Sequence, residues 1–178
     1  MIIAITKPDF FDSEAKQIIS LLNSGKVDLV HIRKPQQQEQ DVERLLNQLP
    51  QDLCSRLVIH DHFGLARRFA LRGVHLNSRN PAPPEHWNGA VSISCHSISE
   101  LAICRQKDFA YMSLSPIFNS ISKPGYNAAF TAEELEQARQ QGIIDHRVFA
   151  LGGVTFSNIS NVLKMGFGGA MLLGDVWK

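Results

Sequence analysis

Gly152-Gly153 and Leu173-Gly174 can each turn backbone N–H groups toward a phosphate, because glycine lets the chain approach an anion closely. Ser120, Ser122 and Lys123 set two hydroxyls beside an ammonium, a combination suited to a second phosphate or a pyrophosphate. Arg33 and Lys34 can add charge to the same anion. His96 has the chemistry of a general acid or base, since imidazole titrates near neutrality, although a lone histidine is more often structural. Asp61 is a candidate magnesium ligand if phosphates or other oxygens complete the shell. Cys95 next to His96 does not make a nucleophilic dyad, because adjacent strand residues point to opposite faces.

These residues share one property: each follows an apolar run that reads as a strand. The runs are 2–6, 29–32, 57–59, 73–76, 90–94, 109–114, 148–151 and 169–173. Amphipathic segments with helix-start and helix-stop signals lie between them. Residues 13–25 begin with an acceptor at Asp12 or Ser13 and end at Gly25, and Thr131-Ala-Glu-Glu134 reads as a capping box opening a helix that Gly142 closes. Other helices are expected over 39–49, 65–71, 98–106 and 155–165. Asn80-Pro-Ala-Pro-Pro is turn chemistry, so little helix is expected between the fourth and fifth strands.

Eight strands alternating with helices predict an α/β fold. The strands are apolar throughout rather than alternating, which fits a parallel sheet covered on both faces. The count of eight favours a closed (β/α)8 TIM barrel over an open doubly wound sheet, and no G-x-G-x-x-G follows the first strand. Residues 1–178 then form one TIM-barrel domain whose last helix is missing from the pattern. That would leave apolar flank between the first and last helices, and a homo-oligomer is compatible with it. In such a barrel the active site lies at the carboxyl ends of the strands, and phosphate sites often use the loops after strands seven and eight.

Composition narrows the partners. The net charge of +1 gives no overall basic footprint, so nucleic acid is not expected. No apolar run approaches the roughly 20 residues that span a bilayer, and the apolar start lacks a basic leader, so neither membrane nor signal peptide is expected. Cys54, Cys95 and Cys104 are odd in number and lack C-x-x-C spacing. That pattern argues against a disulfide framework or a cysteine zinc site and for reduced thiols in a cytoplasmic protein.

Taken in order, the strand ends resemble those of the thiamine phosphate synthase family and its relatives, the thiazole tautomerases. Tyr111-Met-Ser-Leu-Ser115-Pro-Ile-Phe118-Asn-Ser120-Ile-Ser122-Lys123 resembles the family's Y-x-x-x-G-P-[IV]-[FY]-x-T-x-T-K, with serine at both threonine positions. Ala150-Leu-Gly-Gly-Val154 resembles A-I-G-G-I, and Ser92-Ile-Ser94-Cys-His96-Ser97 resembles G-V-S-T-H-[ST]. Ile59-His60-Asp61 resembles I-N-D, and Gly73-Val-His75-Leu76 resembles G-V-H-L. The resemblance runs over nearly the whole chain.

It implies a (β/α)8 barrel and a magnesium-dependent transferase of thiamine biosynthesis. Such an enzyme joins an aminopyrimidine pyrophosphate to hydroxyethylthiazole phosphate and releases pyrophosphate, so its partners are small phosphorylated molecules. By the same resemblance Asp61 matches a metal ligand for Mg2+, and Arg33, Ser120, Ser122 and Lys123 match pyrophosphate or substrate contacts. Ser94 matches a pyrimidine contact, and Gly153, Leu173 and Gly174 match the thiazole phosphate cradle, with Gly152 beside them. Arg33, Lys123 and His96 are the residues expected to carry the chemistry, His96 through its match to the isomerase branch. Four positions depart from the pattern. Asn80 stands where the family has a second magnesium aspartate, Lys34 is one place early, Ile3 replaces an aromatic residue, and Gly174 replaces a serine. Two alternatives stay open: a tautomerase-like isomerase using His96, and a non-catalytic barrel that binds phosphorylated ligands.

Overall fold

A computed structural model describes residues 1–119 and 128–177. Eight parallel strands close into a barrel in sequence order. They are β1 (Ile2–Ile5), β2 (Leu29–Ile32), β3 (Leu57–Ile59), β4 (Gly73–Leu76), β5 (Ala90–Cys95), β6 (Tyr111–Leu114), β7 (Val148–Ala150) and β8 (Gly169–Leu172). The helices among the described residues are α1 (Glu14–Asn23), α2 (Glu39–Leu46), α3 (Gly64–Arg68), α4 (Ile98–Cys104), α5 (Ala132–Gln140) and α6 (Ile159–Lys164). A 3-10 helix over Gln51–Arg56, which the sequence pattern does not announce, precedes β3. The (β/α)8 expectation therefore holds, including the lack of helix between β4 and β5.

Outside β5, where four of six residues are half-buried, the strands form because nearly every residue in them can be buried. All four residues of β2, β4, β6 and β8 are buried, as parallel strands between two covering layers must be. Helix α1 buries Ala15, Ile18 and Leu22, one stripe at helical spacing. At α5 the expected capping box is present. Glu134 N–H donates to Thr131 Oγ1 at 3.2 Å, and Thr131 N–H donates to Glu134 Oε2 at 2.7 Å.

Two helix starts differ from expectation. Ser13 does not cap α1 with its hydroxyl; it sits at φ 64°, in a turn that sets Glu14 against Lys34. Helix α6 begins only at Ile159, after a turn that side chains hold, with the Asn158 amide turned back to Gly153 O. Thr155 N–H donates to Asn158 Oδ1 and Phe156 N–H to Asp175 Oδ2, both at 2.9 Å.

The described chain divides into two compact units. One is 3–91 with Trp177, and the other is 1–2 with 92–176. In the first, β2, β3 and β4 follow one another in register, His31 opposite Val58 and Val58 opposite Gly73. Residues beyond β8 contribute to it through Trp177, which is buried. Its indole N–H donates to Ile5 O at 2.6 Å, and its ring meets Phe11 edge-on at 5.7 Å. This indole closes against the end of β1 and the Phe11 ring. In the second unit, β6, β7 and β8 pair in order, Ser113 opposite Phe149 and Phe149 opposite Gly169.

Candidate active site

In the unit that carries β2–β4, the strand ends build a charged cluster. Thr6 fixes its first member: its hydroxyl accepts from Arg33 N–H at 2.9 Å and donates to Arg33 O at 3.3 Å. Burial lowers the Arg33 pKa, and the neighbouring Arg79 charge adds to that, while Asp61 opposes it. Asp61 follows β3, and its carboxylate is mostly buried. Oδ1 accepts from Arg79 at 3.3 Å and from the Asn80 amide at 3.0 Å.

The loop after β4 is shaped to deliver these donors. Asn77 Oδ1 accepts from the N–H groups of Arg79 and Asn80, and both asparagine amides donate to His60 O. Asn77 is thus the local reason that Arg79 and Asn80 face Asp61.

The Asp61 Oδ2 atom is buried and has no hydrogen-bond partner among the described residues. A buried, unsatisfied carboxylate oxygen is costly unless something meets it. Magnesium, a hard cation often held by one or two carboxylates plus substrate phosphates, fits that single atom. Asn80 is turned to donate rather than accept, so the protein's anionic contribution there is one carboxylate.

Lys34 takes no part in this cluster, which corrects the expectation that it adds charge to the anion. It is fully buried, and Nζ donates to Glu14 Oε1 at 2.7 Å and to the Lys7 and Asp9 carbonyls, each at 2.9 Å. Adjacent residues diverge, so Arg33 stays at the strand end while Lys34 pins the loop between β1 and α1.

The same unit holds a group of residues the sequence reading left separate. His31, His60 and His75 are all buried, and His31 Nδ1 lies 2.8 Å from His60 Nε2. The His60 and His75 rings stack with centroids 4.2 Å apart. The signal that finds them is register: the pairings that set His31 opposite Val58 and Ile59 opposite Val74 put the three on one face.

In the other unit, β7 ends in Gly152 at φ 92° and Gly153 at φ 63°, two consecutive left-handed residues. Side chains are excluded at both. A Cβ on Gly152 would stand 2.7 Å from Pro116 Cα, and one on Gly153 would stand 2.3 Å from Asn119 O. The turn Leu173–Val176 after β8 is tied to this loop by the Asp175 carboxylate on Phe156 N–H. The two glycine-bearing ends predicted to cooperate are therefore linked, with one backbone donor already occupied by Asp175.

His96, just past β5, is exposed. Its Nδ1 lies 3.2 Å from Ser115 Oγ, and its N–H donates to Glu100 Oε2 at 2.7 Å. Ser94 pairs in register with Ser113, whose buried hydroxyl has no hydrogen-bond partner among the described residues. Burial and the Cys104 thiol push the Cys95 pKa up, away from the thiolate a nucleophile needs. Ser120, Ser122 and Lys123 lie outside the described residues. The ends of that segment are held together, with Ala128 N–H donating to Asn119 Oδ1 at 2.8 Å.

Comparison with known proteins shows the family of the chain. The sequence model of the family described as thiamine monophosphate synthase matches residues 2–176. A thiamine phosphate pyrophosphorylase from Bacteroides thetaiotaomicron, known from its crystal structure, superposes with a TM-score of 0.86 at 41% identity. That match covers 99% of this chain and 84% of the other. The thiamine-phosphate synthase of Halalkalibacterium halodurans is 25% identical over 172 residues, covering 92% of this chain and 81% of that protein. The synthase of Parasynechococcus marenigrum is 28% identical over 184 residues, covering 95% of this chain. This chain spans only 59% of the length of the synthase from Bacillus velezensis and 48% of that from P. marenigrum. A match that runs from the first strand to the turn after the last one shows that the chain belongs to the thiamine monophosphate synthase family.

Proposed function

We propose that residues 1–178 act as one barrel domain and a thiamine phosphate synthase-type transferase. It joins an aminopyrimidine pyrophosphate to hydroxyethylthiazole phosphate. The bond between the pyrimidine methylene and the pyrophosphate oxygen breaks, the thiazole nitrogen forms the new bond to that carbon, and pyrophosphate departs with the electron pair. The observation that supports this most is the Arg33–Asp61–Arg79 cluster in a member of this family.

The chemistry is dissociative, so the protein's work is to hold the substrates and receive charge on the leaving group. Arg33 and Arg79 supply two fixed cations for the pyrophosphate, and Lys123, with the Ser120 and Ser122 hydroxyls, completes its binding. Ser94 orients the pyrimidine. Gly152, Gly153, Leu173 and Gly174 receive the thiazole phosphate through backbone N–H groups. Magnesium, held by Asp61, would neutralise further charge on the departing pyrophosphate. With three buried thiols and no described helix long and apolar enough to cross a membrane, we place this reaction in the cytoplasm.

The test is a direct assay with both substrates and magnesium. Product formation with pyrophosphate release is expected; no turnover under any magnesium concentration overturns the reading. One observation favours the isomerase alternative: an exposed His96 imidazole beside Ser115 has the makings of a proton shuttle. His96→Ala distinguishes the two. It should spare the synthase rate within about threefold, whereas a tautomerase would lose roughly a hundredfold or more.

Two further outcomes are expected at this site. Lys123→Ala should weaken pyrophosphate-bearing ligands by roughly ten- to a hundredfold, the value of a charge-assisted hydrogen bond, and leave thiazole phosphate nearly untouched. Isothermal titration with each ligand checks this, and equal losses would move the pyrophosphate elsewhere. Asn80→Asp should lower the magnesium concentration giving half-maximal rate, because it adds the second carboxylate 3.0 Å from Asp61 Oδ1. In the absence of magnesium the same variant should melt at lower temperature than the parent, since two facing carboxylates repel. An unchanged magnesium titration would place the metal away from Asp61.

A further inference from the structure

The three buried histidines are not part of the pyrophosphate chemistry above, and their geometry is that of a ligand set. His31 on β2, His75 on β4 and His60 just past β3 are 0%, 1% and 4% exposed. One nitrogen from each can be chosen so that all lie within 4.8 Å of one another. Nitrogens bound to one tetrahedral ion at 2.0–2.1 Å stand about 3.3 Å apart. The His31–His60 pair, at 2.8 Å, needs to open by about half an ångström, and nitrogens as far apart as 4.8 Å need to draw in by about 1.5 Å, which side-chain rotation supplies.

We propose that His31, His60 and His75 form a binding site for one divalent transition-metal ion of the zinc class.

Ligand chemistry argues for that class. Imidazole suits zinc, cobalt, nickel and copper, whereas magnesium and calcium take oxygen. The site is therefore distinct in kind from Asp61, and it stands whether or not the synthase reading does. Burial holds all three imidazoles neutral at physiological pH, with the His75 pKa lowered to about 3. A neutral imidazole has its lone pair on one ring nitrogen only, so the ion binds once the proton shared between His31 Nδ1 and His60 Nε2 has left or moved to a far ring nitrogen. Three ligands on adjacent parallel strands leave a fourth position for water or an exogenous ligand, the pattern of an open site. The cysteines, all buried in their own surroundings, are not needed for it. Arg33 and Arg79 act against a dication here, since their charges reach His60, so the affinity should fall below that of sites with anionic ligands.

The test uses the full chain, stripped with a chelator and titrated with Co2+ and then Zn2+. One Co2+ per chain is expected, with the intense visible absorption of four-coordinate cobalt, displaced by equimolar Zn2+ and not by a large excess of Mg2+. His31→Gln and His60→Asn should each weaken zinc binding by roughly a hundredfold or more, since even partners outside the ligand set cost ten- to a hundredfold. Binding that persists undiminished in both variants would put the ion on His62, His86, His96 or His146 and overturn the proposal. So would a six-coordinate cobalt spectrum. Should the variants fail to fold, X-ray absorption of zinc bound to the unaltered chain decides. A shell of three imidazoles supports the site, and fewer than three overturns it.

Discussion

Lys34→Ala should lower the unfolding free energy by about 3–5 kcal/mol, the cost of removing one partner of a buried ion pair. The Lys34 and Glu14 side chains are 1% and 3% exposed, so neither charge can turn to water when its partner goes. Burial alone raises the Glu14 pKa and lowers that of Lys34, and each is partly restored by the other. The substitution also strips donors from the Lys7 and Asp9 carbonyls and removes the ammonium that sits 4.5 Å over the Phe10 ring. Urea unfolding followed by circular dichroism reads the loss. The double variant Glu14→Leu/Lys34→Met should recover most of it, because no charge is then left buried. Losses that simply add in the double variant would show that the pair is not the source.

Gly153→Val should cost about 2–4 kcal/mol of stability and weaken thiazole phosphate roughly ten- to a hundredfold. The cause is local: φ is 63°, where a branched side chain is strained, and the new Cβ would stand 2.3 Å from Asn119 O and 2.7 Å from Phe118 Cβ. Relief requires the backbone around 118–119 to move, since no flexible side-chain end is there to yield. Gly153→Ala should show most of the same stability loss, because the clash is at Cβ rather than beyond it. Parallel urea unfolding and ligand calorimetry separate the two effects. Full thiazole phosphate affinity in a folded Gly153→Val chain would remove the phosphate cradle from this loop.

These two positions also show what a sequence can reveal. Gly152-Gly153 is legible because only glycine adopts that backbone where neighbours crowd it, so the residue type announces the geometry. The strands are legible for a similar reason: a parallel strand covered on both faces reads as a near-continuous apolar run. Lys34 is not legible. A basic residue beside Arg33 at a strand end invites the same anion, and only the direction of its side chain, toward Glu14 rather than toward the cluster, separates the two. The histidine triad fails for another reason. Each member is unremarkable in its own strand, and the group exists only through the offsets between three strands, which no single segment encodes. The missing Ser13 cap and the late start at Ile159 are not legible either, since each depends on where a residue turns its side chain, as when Asp175 reaches Phe156 N–H.

The Trp177 contact sets an order of assembly. Its indole N–H bonds to Ile5 O across 172 residues of chain, while almost every other residue of that unit lies between 3 and 91. During synthesis the segment 3–91 leaves the ribosome long before residue 177 is made, so β1 waits with Ile5 O open to water and the Phe11 ring without its indole partner. Closing so long a loop costs more entropy than any pairing of neighbouring strands, so this contact forms late. The first half of the chain is thus made with the end of β1 open, and a residue synthesised far downstream closes it, so the interval between the two is when this unit most needs a chaperone.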